Sequence, residues 1–90
     1  MLTIRDTSQF KKDLKNCNRD PKKDVSELKV LIIKLQNHEP LEVRYNDHPL
    51  AGDWNGYRDA HVMPDWVLIY KVEGGNLHLA RTGSHSRLFR

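Results

Sequence analysis

The stretch Tyr57-Arg58-Asp59-Ala60-His61-Val62-Met63-Pro64-Asp65-Trp66-Val67-Leu68-Ile69-Tyr70-Lys71-Val72-Glu73-Gly74-Gly75-Asn76-Leu77-His78-Leu79-Ala80-Arg81-Thr82 decides the fold. It holds three runs of strand length, Tyr57–Met63, Trp66–Val72 and Leu77–Thr82, rich in β-branched and aromatic residues. Pro64-Asp65 and Glu73-Gly74-Gly75-Asn76 separate them with turn chemistry. The simplest reading is an antiparallel meander. Its middle strand, Val67-Leu68-Ile69-Tyr70, is apolar on both faces, as a central strand must be. Leu2 and Ile4 alternate with polar residues over 2–5, which predicts a short additional edge strand and a sheet of three to four antiparallel strands.

Upstream, the apolar period changes from two to that of a helix. Thr7 or Ser8 can cap a helix carrying Phe10, Leu14 and Cys17 on one face, ended by the Asn18-Arg19-Asp20 turn. Asp20 is a suitable cap for a second helix, with Pro21 in the first helical position and Val25, Leu28, Ile32 and Leu35 along one face until Asn37 and Pro40. Two helices joined by so short a turn are expected to pack as an antiparallel hairpin. The fold class predicted is therefore α+β: an N-terminal helical hairpin on a small antiparallel sheet, with residues 1–90 as one domain.

Ninety residues suffice for one hydrophobic core and not for two. The longest apolar run, Val30–Ile33, is far too short to span a bilayer, so no membrane role is expected. Met1-Leu2-Thr3-Ile4-Arg5 lacks the apolar region of a secretory signal, and the single Cys17 has no partner in the chain, which together predict a cytoplasmic protein without disulfides. The formal charge of +3 is unevenly placed. Residues 1–40 carry nine Lys and Arg against six Asp and Glu, whereas residues 41–90 carry six of each. The surplus lies in the half that carries the predicted helices, and a balance this mildly basic permits a polyanion partner without requiring one.

Strand register brings the candidate chemistry together. With Pro64-Asp65 as a two-residue loop, Met63 faces Trp66 and His61 faces Leu68. With Glu73–Asn76 as the second loop, Val72 faces Leu77 and Leu68 faces Arg81. His61 and Arg81 would then share a row and a face, about 10 Å apart across Leu68, a gap their side chains can close around one phosphate. Trp66 falls on the same face, Asp65 sits in the adjoining turn, and His85 follows the third strand at that end. This register depends on the second loop, because a shift of one residue turns Arg81 to the other face.

Other chemistries fit less well. The five histidines, at 38, 48, 61, 78 and 85, include no close pair at zinc-ligand spacing, and one Cys cannot build a thiolate site, so no metal or other cofactor is expected. Gly74-Gly75 reads as a turn rather than a phosphate loop, and Ser84-His85-Ser86 is no nucleophile elbow. His38 suits a helix terminus and His78 a solvent-facing strand position. His48, before Pro49, reads locally as a turn residue, and Trp54 as a loop anchor or a stacking surface. His, Arg and Asp together suit metal-free phosphodiester cleavage, in which one group removes the ribose 2′-OH proton, another protonates the leaving 5′-oxygen, and a cation steadies the phosphorane. Such chemistry acts on RNA and not on DNA.

The segments Tyr45-Asn46-Asp47-His48-Pro49-Leu50, Gly52-x-Trp54-x-Gly56-Tyr57-Arg58-Asp59-Ala60-His61-Val62, Pro64-Asp65-Trp66-Val67-Leu68-Ile69-Tyr70, Arg81-Thr82-Gly83-x-His85 and Leu88-Phe89 occur in this order. Together they closely resemble the YafQ branch of the RelE/ParE superfamily, toxins of bacterial type II toxin–antitoxin modules. The likeness is dense over residues 44–90 and mainly architectural over 1–40. It implies a ribosome-dependent endoribonuclease that enters the vacant decoding site and cuts the mRNA codon there. Residue by residue, it implies that His48, His61, Asp65 and His85 form the proton-transfer and charge-stabilising set, which overrides the turn reading of His48. Arg81 would be the phosphate-stabilising arginine, and Trp66 and Phe89 the aromatics near substrate. The choice between general base and general acid stays open, with His85 favoured for a main role.

On that reading Lys11, Lys12, Lys15, Lys22 and Lys23 are expected to contact ribosomal RNA without reading sequence. A cognate antitoxin is the implied protein partner, with the 70S ribosome and mRNA as the others. Two further classes stand beside it: a non-catalytic RNA- or ribosome-binding module, and a ParE-like gyrase poison on the same scaffold.

Overall fold

The computed structural model describes residues 1–89. Within them the chain runs β1 (Thr3–Asp6), α1 (Ser8–Asn18), α2 (Val25–Gln36), β2 (His48–Pro49), β3 (Arg58–Met63), β4 (Trp66–Glu73), β5 (Asn76–Gly83) and α3 (His85–Leu88). The α+β class holds, but the sheet has five strands in the order β1-β5-β4-β3-β2. It is mixed rather than antiparallel, because β1 pairs parallel with β5, Thr3 opposite Asn76 through Asp6 opposite Leu79. Local pattern marks an edge strand but carries no information about direction when its partner lies some seventy residues away. The two-residue β2, His48 opposite Asp59 and Pro49 opposite Arg58, is too short for alternation to reveal, and Pro49 is tolerated because the strand is an edge.

Thr7, rather than Ser8, caps α1. Its hydroxyl oxygen accepts the Phe10 amide at 3.0 Å and its hydroxyl donates to the Ala80 carbonyl at 2.9 Å, so one side chain starts the helix and pins it to β5. The buried stripe of α1 is Phe10, Asp13 and Cys17, with Leu14 half-buried at its margin. A carboxylate thus occupies a position that periodicity assigns to an apolar group.

The second helix begins later than Asp20-Pro21 implied. Asp20 instead closes a local turn, accepting the Lys22 amide at 2.9 Å and the Lys23 ammonium at 2.8 Å. Asp24 is the cap, accepting the Ser26 amide and hydroxyl. Two aspartates four residues apart each offered a start, and Glu27 in the first turn favours the later one. Leu28, Leu31 and Leu35 bury one face of α2 against the sheet, joining Phe10, Tyr45, Trp66, Leu68, Tyr70, Leu77 and Leu79 in the main core. A second cluster on the opposite sheet face comprises Val67, Ile69, Ala80 and Leu88, packed against Leu50, Trp54, Tyr57 and Phe89.

Both hairpin turns begin as expected, Met63 opposite Trp66 and Val72 opposite Leu77. The second loop is tighter than the four residues expected: Glu73 pairs with Asn76, and Gly74 and Gly75 alone turn the chain with φ of 57° and 76°, values that suit glycine. Each ladder then contains a bulge. Between Met63 and His61 the register slips, so His61 faces Val67 and not Leu68. Between Tyr70 and Ile69 it slips again, leaving Ala80 as the extra residue and placing Arg81 opposite Ile69. A slip of one residue exchanges faces. The predicted row His61–Leu68–Arg81 is therefore replaced by two rows, His61–Val67–Gly83 and His48–Asp59–Ile69–Arg81.

Candidate functional site

The strand rows gather the site on the face of Val67 and Ile69, opposite α1 and α2. His61 comes from β3. After Gly83, Ser84 caps α3 by accepting the Arg87 amide at 3.3 Å, and Leu88 anchors that single turn in the second apolar cluster. His85 and Phe89, four residues apart, consequently lie on one side of the turn. Their rings are 4.7 Å apart, and the rings of His85 and His61 are 6.3 Å apart.

His48 enters from the opposite edge. Its position depends on a small polar knot in the loop before β2. Asn46 adopts a left-handed conformation, φ 44°, which asparagine tolerates better than most residues. Asp47 accepts the Tyr70 hydroxyl at 2.6 Å and the Arg58 guanidinium at 3.2 and 3.3 Å. Burial and the Asp47 carboxylate together push the Tyr70 hydroxyl far above the ordinary phenol range, so it stays a donor. With the loop so held, His48 Nδ1 donates to the Asn46 carbonyl at 2.7 Å.

Asp59 lies below these histidines. It is 1% exposed, and His48 Nδ1 is 3.1 Å from its Oδ1. The Nδ1–H is directed at Asn46, however, and neither Asp59 oxygen has a hydrogen-bond partner among the described residues. Burial pushes its carboxyl above the ordinary range, opposed by the nearby His48, His61 and His85. Asp59 was absent from the residues singled out by sequence, although its spacing of two from His61 on one strand was a usable signal.

Arg81 stands at the far end of the second row, but its guanidinium is already engaged. β1 covers the edge of β5 only as far as Leu79. Beyond that point Asp13 of α1 takes over, accepting the Thr82 amide at 3.2 Å and Arg81 Nε and Nη2 at 3.0 Å each. Burial alone would raise the Asp13 carboxyl, but Arg81, Gln9 and the Thr82 amide outweigh it and hold the group below the usual range. Asp13 raises the affinity of Arg81 for its proton in return. Nη1 makes no hydrogen bond among the described residues, and the side chain is 25% exposed, which leaves one donor edge for an anion.

Two expected site residues lie elsewhere. Trp66 does not share the face of His61: it is 1% exposed in the helix-side core, with its indole N–H donated to Thr82 Oγ1 at 2.8 Å, because the β3–β4 bulge turns His61 away from it. Asp65 is at the exposed hairpin tip, along a groove it shares with Asp20, Lys22 and Lys23, and makes no hydrogen bond or ion pair with the histidines among the described residues. Of the expected RNA-facing lysines, Lys11, Lys12, Lys15 and Lys22 are exposed, whereas Lys23 is tied to Asp20 at 2.8 Å. Among the described residues no group of three or more His, Cys, Asp or Glu is gathered closely enough to hold a metal ion. Nor, among the described residues, is any helix long and apolar enough to cross a membrane.

A family model described as the bacterial toxin of type II toxin–antitoxin systems, YafQ, matches residues 2–90. The chain belongs to the YafQ toxin family. It is 48% identical over 87 residues to the mRNA interferase toxin YafQ of Escherichia coli K12, covering 96% of this chain and 94% of that one. Among solved structures, YafQ in the E. coli DinJ–YafQ toxin–antitoxin complex superposes with a TM-score of 0.88 at 47% identity, covering 99% of this chain and 98% of that one. A metal-bound toxin from Helicobacter pylori is similar with a TM-score of 0.91 at 38% identity, over 99% of this chain and all of that one. The resemblance read in the sequence is therefore to the right family, and the five-stranded mixed sheet is the fold that YafQ structures share with this chain.

Proposed function

We propose that this YafQ-family toxin is a ribosome-dependent endoribonuclease that cuts mRNA codons in the A site by metal-independent attack of the ribose 2′-oxygen. The observation that carries the reading is the convergence of His48, His61 and His85 on one sheet face with Phe89 beside them. It is supported by near half identity to a protein named an mRNA interferase. One imidazole takes the 2′-OH proton as that oxygen attacks phosphorus, and another gives a proton to the departing 5′-oxygen; each transfer contributes about 100- to 10,000-fold. Arg81, held edge-on by Asp13, offers its free Nη1 to the phosphorane oxygens. Phe89 supplies a ring on which a nucleobase can stack. Asp65, at the hairpin tip, is the carboxylate that assists the histidines in proton transfer, and buried Trp66 serves the site by holding Thr82 in place.

The exposed lysines of α1 and Lys22 bind ribosomal RNA backbone, and a cognate antitoxin covers the free toxin, as DinJ accompanies the E. coli relative. The test is tightly controlled expression followed by mapping of mRNA 5′ ends, with His85→Ala and His48→Ala as comparisons, since both side chains are solvent-accessible and their removal spares the core. Breaks inside codons that disappear in both variants and on blocking translation support the reading. Toxicity that survives both substitutions refutes it and returns the ParE-like or purely binding alternatives.

A further inference from the structure

Asp59 is a carboxylate that folding alone does not require. It is almost fully buried and both oxygens lack a hydrogen-bond partner among the described residues, so its burial costs stability that no hydrogen bond there offsets. The arginines nearest in sequence and register are no counter-charge for it. Arg58 is committed to Asp47 and Arg81 to Asp13. The groups whose charge acts on it most are imidazoles, His48 directly across the β2–β3 pair, His61 two residues along its own strand and His85 beyond, with the Asp47 carboxylate acting more weakly in the opposite sense.

The contact with His48 is the informative one. Nδ1 of His48 has two neighbours, the Asn46 carbonyl at 2.7 Å and Asp59 Oδ1 at 3.1 Å. A carbonyl can only accept, so Nδ1 must carry the hydrogen, and Nε2 is left as the nitrogen with a free lone pair. Nε2 belongs to a side chain that is 43% exposed. A base oriented by a third group behind it is the arrangement by which proton transfer to an otherwise weak imidazole is made efficient.

We propose that Asp59 is a positioning residue for proton transfer: while the Asn46 carbonyl takes the His48 Nδ1–H, the buried Asp59 carboxylate 3.1 Å from Nδ1 favours that orientation of the ring, with Nε2 toward substrate, and balances the charge the ring acquires when it takes a proton. When Nε2 accepts the 2′-OH proton, the ring becomes an imidazolium whose Nδ1–H stays on the Asn46 carbonyl and whose charge faces the Asp59 carboxylate 3.1 Å away. The proton leaves Nε2 again to solvent or product, and Asp59 itself forms no bond to substrate. This assignment rests on the nuclease reading for its catalytic consequence, but not for its geometry.

The experiment compares wild type, Asp59→Asn, His48→Ala and the double variant. Asparagine is isosteric and keeps an acceptor beside Nδ1 while removing the charge. The expected result is a thermal midpoint unchanged or raised in Asp59→Asn, with cleavage on programmed ribosomes lowered by up to the roughly 100- to 10,000-fold that one proton transfer supplies. In the His48→Ala background Asp59→Asn should cost no more than about two-fold, because its effect passes through the missing ring. Independently of activity, the ring ¹⁵N signals of His48 should report the hydrogen on Nδ1 in wild type and should change on Asp59→Asn, while those of His38 and His78 stay fixed. A lowered thermal midpoint with undiminished turnover, multiplicative losses in the double variant, or a wild-type His48 protonated on Nε2 would each overturn the proposal. A wild type that cuts no mRNA would instead refute the nuclease reading, and the ring signals alone would then decide the role of Asp59.

Discussion

Replacing Arg81 by alanine is the obvious way to disable a phosphate-stabilising arginine, and the structure predicts that it damages the fold first. Asp13 is 1% exposed and lies on the buried stripe of α1, so its charge has been taken out of water. Without Arg81 it keeps the Gln9 amide and the Thr82 N–H but loses the one cation paired with it among the described residues. Removing one member of a buried pair costs about 3–5 kcal/mol. Arg81 is itself 25% exposed, so water partly replaces it and about 2–4 kcal/mol is the expected loss. A domain of this size has roughly 5–13 kcal/mol of stability in total, and each kcal/mol moves its midpoint by about 4–8 °C, so a fall on the order of 10–25 °C is expected. Asp13→Asn keeps an acceptor for the Thr82 amide and removes the buried charge, and should cost less, about 1–2 kcal/mol. The double variant should lose less than the two single changes combined, with a coupling of about 1–3 kcal/mol. Urea unfolding followed by tryptophan fluorescence, with Trp66 buried in the core, measures all four proteins. An Arg81→Ala protein within about 0.5 kcal/mol of wild type, or strict additivity in the double variant, would refute the view that Asp13 and Arg81 form one unit.

Asp13 also sets a pH dependence. Its folded carboxyl titrates below the unfolded value of about 3.9, so its contribution is fully present above that pH and is lost as the pH falls through the folded value. Wild type should therefore lose stability more steeply than Asp13→Asn below about pH 4, and equal slopes in acid unfolding curves would contradict this. Thr7→Val removes both the α1 cap and the hydroxyl bond to Ala80, and chemical denaturation should show a loss of about 1–2 kcal/mol. Alanine at Lys11, Lys12, Lys15 and Lys22 together should weaken ribosome binding and flatten its salt dependence by about 0.7–0.9 for each lysine that contacts a phosphate. A slope unchanged by all four substitutions would place the ribosome on another surface. Toxin dialysed against a chelator should cut at full rate in ribosome buffer containing only Mg²⁺, and stimulation by added Zn²⁺, Cu²⁺ or Mn²⁺ would overturn metal-independent cleavage.

What could be read in the sequence follows the range over which each signal acts. Cap and turn chemistry are local, which is why Thr7, the Pro64-Asp65 turn and the Gly74-Gly75 turn fall where residue type put them. Asp20 misled because it does make a capping-type bond, to the Lys22 amide, without starting a helix. The direction of β1 and the existence of β2 depend on partners distant in sequence. The bulges at Val62 and Ala80 leave no mark in composition, and they moved His61 away from Trp66 and Arg81 away from Leu68. His61 and His85 still meet, since the end of β5 and its tight link to α3 fix that approach whatever the register. Asp13 and Asp59 escaped notice for one shared reason. Each is a charged residue in phase with buried neighbours, and only the folded arrangement shows what it faces.

The paired bulges also bear on how relatives of different length are to be aligned. Val62 and Ala80 are each supernumerary to a ladder that is in step on both sides of them. A homologue lacking one residue at either point can restore a regular ladder while leaving His61 beside Val67 and Arg81 beside Ile69. Single-residue gaps at these two places therefore mark a bulge gained or lost between lineages, whereas a gap anywhere between Trp66 and Ile69 would put the histidine and the arginine on opposite sides of the sheet.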